Sequence, residues 1–188
     1  MKKMSRKSAL VGRLVAAACA TCLLLFTVSA TVAHAQVLTF DKLAAGDSPV
    51  PNGYGNLNWD NMYVLNGTTY NASGYQAGVV SPNNVVYNAY GEPGDVWING
   101  LFILNSVYLT AAWNDNLKVT ITGYFSGKMV FSKSYILSAT HPTLIHFPSA
   151  VCDEVDFVTS GGLLHPGYEG GGEHFAMDNL SVAVAVKY

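Results

Sequence analysis

Basic residues are scarce in this chain once its first 35 positions are set aside. Ten residues are Lys or Arg and twelve are Asp or Glu. Five of the ten, Lys2, Lys3, Arg6, Lys7 and Arg13, fall at the very start, so from Gln36 onward five lysines face twelve acids, a net charge of −7. A surface so poor in Lys and Arg excludes nucleic acid and anionic membranes as expected partners. Cysteine is equally sparse. Of three cysteines, Cys19 and Cys22 lie in the early apolar stretch and only Cys152 lies beyond it. One thiol cannot close an internal disulfide, so the fold must stand on packing, with or without a metal. Cys152 sits in the run Ala150-Val151-Cys152 and reads as a small buried hydrophobe with no histidine placed to activate it. Also missing are a Gly-x-Ser-x-Gly elbow, a His-Glu-x-x-His pair, a phosphate loop and a dinucleotide fingerprint, which removes the common enzyme signatures. Helical periodicity is absent after the first 35 residues.

The start of the chain supplies a targeting segment. Its basic residues precede a stretch from Leu14 to Val32 that is apolar or small, centred on Leu23-Leu24-Leu25-Phe26, and Ala33-His34-Ala35 gives the small-x-small pattern of a signal-peptidase site. The expected division is a signal peptide over 1–35 and one domain over 36–188, secreted to the exterior or the periplasm, with no membrane attachment after cleavage. A length of 153 residues suits a single core.

Strand signals dominate that domain. Short apolar or alternating runs occur at Val37–Phe40, Leu57–Leu65, Val85–Tyr87, Val96–Ile98, Thr143–Phe147, Val155–Val158 and Phe175–Val186, separated by Gly, Pro, Asn and Ser turns. Leu101–Trp113 reads as a strand pair bent at Asn105-Ser106. In the clearest hairpin, Leu117, Val119 and Ile121 alternate with Lys118, Thr120 and Thr122. Ser126-Gly127 turns the chain, and Met129, Phe131, Tyr135 and Leu137 share a face on the return. The fold class is all-β, a sandwich of about eight to ten strands. Two polar loops, Asn66–Pro82 and the glycine-rich Gly161–Gly172, stand out as places for binding residues.

Three groups of side chains are candidates for function. The first is aromatic: all three Trp and all eleven Tyr lie beyond residue 35. Tyr70, Tyr75, Tyr90 and Tyr168, in polar loops beside Asn and Gly, are expected to be exposed and to bind ligand. Trp97 and Trp113, in apolar strands, are expected in the core. Flat rings flanked by amides suit a glycan, the rings taking the sugar's C–H faces and the amides its hydroxyls, although aromatics also fill sandwich cores. The second group is acidic. Asp41 closes the first strand and Asp178-Asn179 sits in the last, and first and last strands of two-sheet folds often lie side by side. An oxygen cluster there suits a structural calcium, while the alternative is that these side chains only hydrogen-bond turn backbone. The third group comprises the four glutamates, among which Glu92 and either Glu169 or Glu173 are candidates for a glycosidase pair.

Three motifs carry a family likeness: Leu38-Thr39-Phe40-Asp41, then Pro51-Asn52-Gly53-Tyr54-Gly55-Asn56-Leu57-Asn58-Trp59, and finally Phe175-Ala176-Met177-Asp178-Asn179-Leu180. With these the chain resembles secreted jelly-roll proteins of bacteria and fungi, galactose-binding-like and similar to carbohydrate-binding modules, a family without a settled function. The resemblance implies a jelly-roll β-sandwich and a calcium between the first and last strands at Asp41 and Asp178. One expected departure from the resemblance is a module without an attached catalytic domain. The expected function is a non-catalytic secreted domain that binds an extracellular glycan or polysaccharide. The alternatives are an extracellular structural or adhesion protein that binds other proteins, and a small glycoside hydrolase.

Overall fold

The computed structural model of the protein describes residues 33–185. The expected leader, 1–35, therefore lies outside the described residues except for Ala33–Ala35, which open the first strand. Thirteen strands run in the order β1 (Ala33–Leu38), β2 (Ser48–Pro49), β3 (Asn58–Asp60), β4 (Met62–Asn66), β5 (Asn84–Asn88), β6 (Gly94–Ala111), β7 (Asn114–Asp115), β8 (Leu117–Phe125), β9 (Lys128–Leu137), β10 (Thr143–His146), β11 (Cys152–Ser160), β12 (Leu163–Leu164) and β13 (Phe175–Ala185). A four-residue helix, α1 (Gly74–Ala77), interrupts the loop between β4 and β5. The count exceeds the expected eight to ten because β2, β7 and β12 are two-residue pairings.

The pairing is antiparallel throughout and follows the path β2-β4-β5-β13-β6-β11-β8-β9, with β1 on β13 and both β3 and β10 on β6. Strands far apart on this path share one core. Val64 of β4 and Val86 of β5 pack in the same buried cluster as Leu117, Val119 and Ile121 of β8. The hydrogen-bonded ribbon must therefore fold over on itself, which makes the architecture an all-β jelly-roll sandwich. The first and last strands do lie side by side, from Ala33 opposite Ala185 to Leu38 opposite Leu180. At the centre of the core Phe157 and Phe175 are fully buried with ring centroids 5.9 Å apart, each contributing about 1.5–3 kcal/mol through burial alone.

Two strand boundaries differ from the sequence reading. The run Leu57–Leu65 breaks at Asn61, whose φ is +50° and whose amide donates to the carbonyls of Ala89, Glu92 and Pro93. Asn tolerates that left-handed turn and stitches it to a neighbouring segment. Conversely, Val96–Ile98 and Leu101–Ala111 belong to one 18-residue strand, β6, which ends two residues before Trp113. It does not fold back at Asn105-Ser106. It exchanges partners there instead, pairing with β11 before that point and with β10 after it. The expected hairpin is present, with Ser126 at φ +50° and Gly127 at φ +69°, the two left-handed positions of a tight hairpin turn. Met129, however, is exposed, because the hairpin tip runs past the core that Leu117, Val119, Ile121 and Leu137 share.

The jelly-roll motifs have a packing role. Phe40 is buried at φ +62°, held by its N–H donating to the Tyr54 hydroxyl (3.0 Å) and by an edge-on contact with Trp59. Trp59 in turn donates its indole N–H to the Tyr54 carbonyl.

At Gly74 the backbone of α1 lies directly on β6, and an added Cβ would overlap the carbonyl oxygen of Ala111. Gly74→Ala should therefore lower stability by about 3 kcal/mol, the upper range for overpacking. Thermal unfolding followed by circular dichroism checks this, and an unchanged midpoint would refute the close approach.

Candidate functional site

Strands β4 and β5 bury Met62, Val64 and Val86 in the main core. Because side chains alternate along a strand, Tyr63, Leu65, Val85 and Tyr87 face the other way. On that outer face a second, smaller cluster forms from Leu65, Tyr75, Val85, Ala112, Trp113 and Ala176. Tyr63 and Tyr87 stand directly opposite in the β4–β5 register, with ring centroids 6.1 Å apart. The loop after β4 then folds back over this face. Its Asn66 caps a short helical turn by accepting from Thr68 N–H, Ser73 caps α1 by accepting from Gln76 N–H, and the two turns deliver Tyr70 and Tyr75.

The result is a groove of about 500 Å³ lined mainly by aromatic rings, namely those of Tyr63, Tyr70, Tyr75, Tyr87, Tyr90 and Trp113, with Asp47, Gly171 and His174 completing the wall. The volume falls in the usual range for small-molecule sites. Its floor is tight. Tyr75 meets Tyr70, Trp113 and Tyr87 edge-to-face at 5.1, 5.3 and 5.4 Å, the geometry ring quadrupoles favour. Trp113 lies flat on Gly170, where any Cβ would run into the indole. Burial, and then the neighbouring tyrosines and Asp47, push the Tyr75 phenol well above its usual range. Burial, followed by Asp47, does the same for Tyr87. The Tyr87 hydroxyl reaches Asp47 at 3.4 Å. His174 places Nδ1 2.9 Å from the Asn88 carbonyl, which can only accept, so Nδ1 carries the proton. Burial lowers the His174 pKa against that bond, and the ring is neutral at neutral pH.

Three of the four tyrosines expected at the site line this groove. They differ in exposure: Tyr90 is 79% accessible, Tyr70 39% and Tyr75 only 3%. Tyr75, expected to be exposed, is the floor, because Ser73 starts a helix that turns it inward. Tyr168 does not line the groove. It packs edge-on behind Trp113, on His165, and donates its hydroxyl to the Ala139 carbonyl. Trp113 is buried, as its apolar strand suggested, but Trp97 is 41% exposed because it falls on the outward phase of β6. Asp47, Tyr63, Tyr87 and His174 are not among the site residues expected from the sequence. The signal for Tyr63 and Tyr87 was the alternation of Met62-Tyr63-Val64 and Val86-Tyr87-Asn88; Asp47 and His174 had no local signal.

The acidic residues form two arrangements. Asp178 is fully buried and accepts from the N–H groups of Val80, Ser81 and Asn179 at 2.7–2.8 Å, with the Ser81 hydroxyl 2.9 Å away. Asp41 accepts from Asn83 and Asn84 N–H. Burial raises the Asp41 pKa, but those two backbone bonds together with the Thr39 and Ser81 side chains outweigh it and leave the carboxyl below its ordinary value. Both carboxylates thus clamp the segment 80–84, and donors occupy both Asp178 oxygens and Asp41 Oδ1. Asn179 Oδ1 is left buried without a partner, but one oxygen is far from the six to eight that calcium takes. As arranged, these residues do not fit the expected calcium. A second group, Asp95, Glu154 and Asp156, has carboxylate oxygens within 4.8 Å of one another. Asp60 and Asp156 flank Asp95 directly across β3 and β11. Burial, then the charges of Asp60, Asp156 and Glu154, push Asp95 up to about 6, and its Oδ1 is buried without a partner. These are not the glutamates singled out from sequence, and Glu173 accepts from Gly161 N–H. Burial, reinforced by Asp153, pushes the Cys152 thiol up to about 11, too high for a thiolate nucleophile at neutral pH.

No family model and no curated protein matches the chain. Among solved structures it is similar to a DUF4465 family protein from Bacteroides caccae, with a TM-score of 0.57 and 13% identity over 79% of this chain and 98% of that one. A DUF4465 family protein from Bacteroides ovatus gives 0.48 and 10% over 80% and 99%. A family 29 carbohydrate binding module gives 0.41 and 18% over 81% and 92%. The first likeness establishes a shared fold, in agreement with the jelly-roll resemblance of the sequence motifs, and the weaker two add no argument to it.

Two measurements test the acidic groups. If Asp41 and Asp178 work through N–H donors, the thermal midpoint should be the same in calcium and in chelator, and a fall in chelator would restore the ion. For Asp95 the folded pKa lies above the unfolded value of 3.8. The folded state therefore binds the extra proton between about pH 4 and 6, and this contribution to stability is present at low pH and lost as pH rises through that window. Asp95→Asn should raise the midpoint at pH 7 and flatten its slope between pH 4 and 6 relative to the parent protein. Identical slopes would sink the assignment.

Proposed function

We propose that the protein is a secreted, non-catalytic domain that binds a glycan in the groove on the outer face of β4 and β5. The observation that supports it most is Tyr90. A bulky residue with 79% of its surface in water is held at φ +59°, a conformation that costs of order 1–3 kcal/mol and persists where something other than folding requires it. Behind Tyr90 lies the packed floor of Tyr75, Tyr87 and Trp113. A rigid apolar floor with exposed ring faces at the rim and hydroxyl and carboxylate groups within reach suits a sugar, whose C–H faces stack on rings and whose hydroxyls need few, placed partners. Secretion rests on the leader motif, and the absence of catalysis on the high thiol pKa and the lack of enzyme signatures.

A second reading, a protein-binding surface, has its own support. β9 ends the sheet path, and Met129, Val130 and Ile136 on it are exposed, with Phe125 beside the turn. An open apolar edge suits another chain.

A glycan array probed with the purified protein separates the two. Binding to a defined sugar class is expected. Tyr90→Ala should weaken it at least tenfold, the loss of one stacking ring, without shifting the thermal midpoint, since Tyr90 supports no core. Silence on every glycan, or binding indifferent to Tyr90, would move the search to the β9 edge.

A further inference from the structure

We infer that the groove prefers a sugar carrying an ammonium group over its neutral or anionic counterparts. This rests on the glycan reading above and specifies the ligand chemistry of the same site. Six aromatic rings line the groove, and neighbouring rings stand at steep angles, 71° between Tyr70 and Tyr75, 67° between Tyr75 and Tyr87, and 71° between Tyr63 and Tyr90. The rings most open to the groove are Tyr70 and Tyr90, 39% and 79% exposed, and the negative face of an accessible ring attracts an organic cation.

The charges point the same way. Asp47 is the one acidic residue on the wall, and no Lys or Arg lines it among the described residues. His174 is neutral, its Nδ1–H committed to the Asn88 carbonyl and its pKa lowered by burial. Burial keeps the phenols of Tyr75 and Tyr87 protonated, so they add no anionic charge that would bring in a metal ion. A carboxylate or sulfate on a sugar would meet ring faces and Asp47 with no cation to receive it. A neutral acetamido group would stack and could donate its N–H to Asp47, but would leave the carboxylate charge unpaired. An ammonium group satisfies both the faces and the carboxylate, and Asp47, seated at φ +49° beside the Tyr87 hydroxyl, is held where it can accept from it.

The test compares three oligosaccharides of equal length at one ionic strength and one mildly acidic pH at which the sugar amine is protonated: β-1,4-linked glucosamine, its fully N-acetylated form, and galacturonate. Titration calorimetry should show the glucosamine oligomer binding at least tenfold more tightly than the acetylated one, with no heat from galacturonate. Asp47→Asn should bring the first two within about threefold, and Asp47→Lys should invert their order. Binding of acetylated or other neutral sugars with no preference for the amine, or a preference that survives both Asp47 variants, overturns this inference while leaving the glycan reading in place. Silence on all glycans overturns both.

Discussion

A buried carboxylate with no cation to pair with organises this molecule. Asp178 sits in the middle of the last strand, fully buried, where an isolated anion would cost several kcal/mol. Three backbone N–H groups and a serine hydroxyl converge on it, and bonds to a charged acceptor of this kind recover about 1.5–3 kcal/mol each. Two of those N–H groups belong to Val80 and Ser81, the residues at which the long loop after β4 returns to the sheet. Asp41 then takes the next two free amides, those of Asn83 and Asn84. The loop is thus tied down at its exit by both ends of the chain, because β1 and β13 are neighbours. Tyr70 and Tyr75 hold their places in the groove because that return is pinned.

The groove follows from how strands bury their two faces. β4 and β5 commit one face to the main core and would leave the other wet, yet that other face carries Leu65, Val85 and Tyr87. The loop covers part of it with Tyr75 and β6 hands over to Trp113, forming a second cluster that is too small to be sealed. Asn88 secures the far side. Its amide donates to Glu92, Thr159 and Glu173, and its carbonyl oxygens hold Phe175 N–H and His174. A site built on strands with its polar supports satisfied changes little on binding.

Much of this was legible from the residues. Single-phase alternation marked the β8–β9 hairpin, and the turn chemistry of Ser126-Gly127 was read correctly because it is local. Of the two long loops, 66–82 brings Tyr70 and Tyr75 to the groove and 161–172 brings only Gly171, while Tyr90 comes from the turn after β5. What escaped depends on distant partners. Nothing local in Gly94–Ala111 says that one strand will serve two sets of neighbours, so it read as separate pieces. Tyr75 looked like a loop residue because the helix that buries it is one turn long and held by a serine cap. Trp97 looked like core because its apolar neighbours hid the phase of β6. At the acidic ends the oxygens that suggest calcium are visible in the sequence, whereas the backbone N–H groups that reach Asp41 and Asp178 from distant positions are not.

The groove also differs from the other aromatic contacts in what its geometry is for. Phe40, Tyr54 and Trp59 form a comparable set of tilted and edge-on rings, and there the left-handed Phe40 is explained by its burial and its bond to Tyr54. Tyr90 has the same backbone strain, and its ring makes an edge-on contact with Tyr63 at 6.3 Å while most of its surface stays in water. Burial cannot offset the strain at Tyr90 as it does at Phe40. Binding to rings already fixed in place avoids the ordering cost of about 0.5–1.5 kcal/mol per side chain that a mobile site would incur, and the packed rings of Tyr75, Tyr87 and Trp113 are such a floor beneath the open ring of Tyr90. An open ring on a strained backbone gains nothing for folding and favours a flat ligand laid against it, which is why we propose binding at this face of the sheet and not at the acidic cluster around Asp95, where the close approach of side chains produces repulsion.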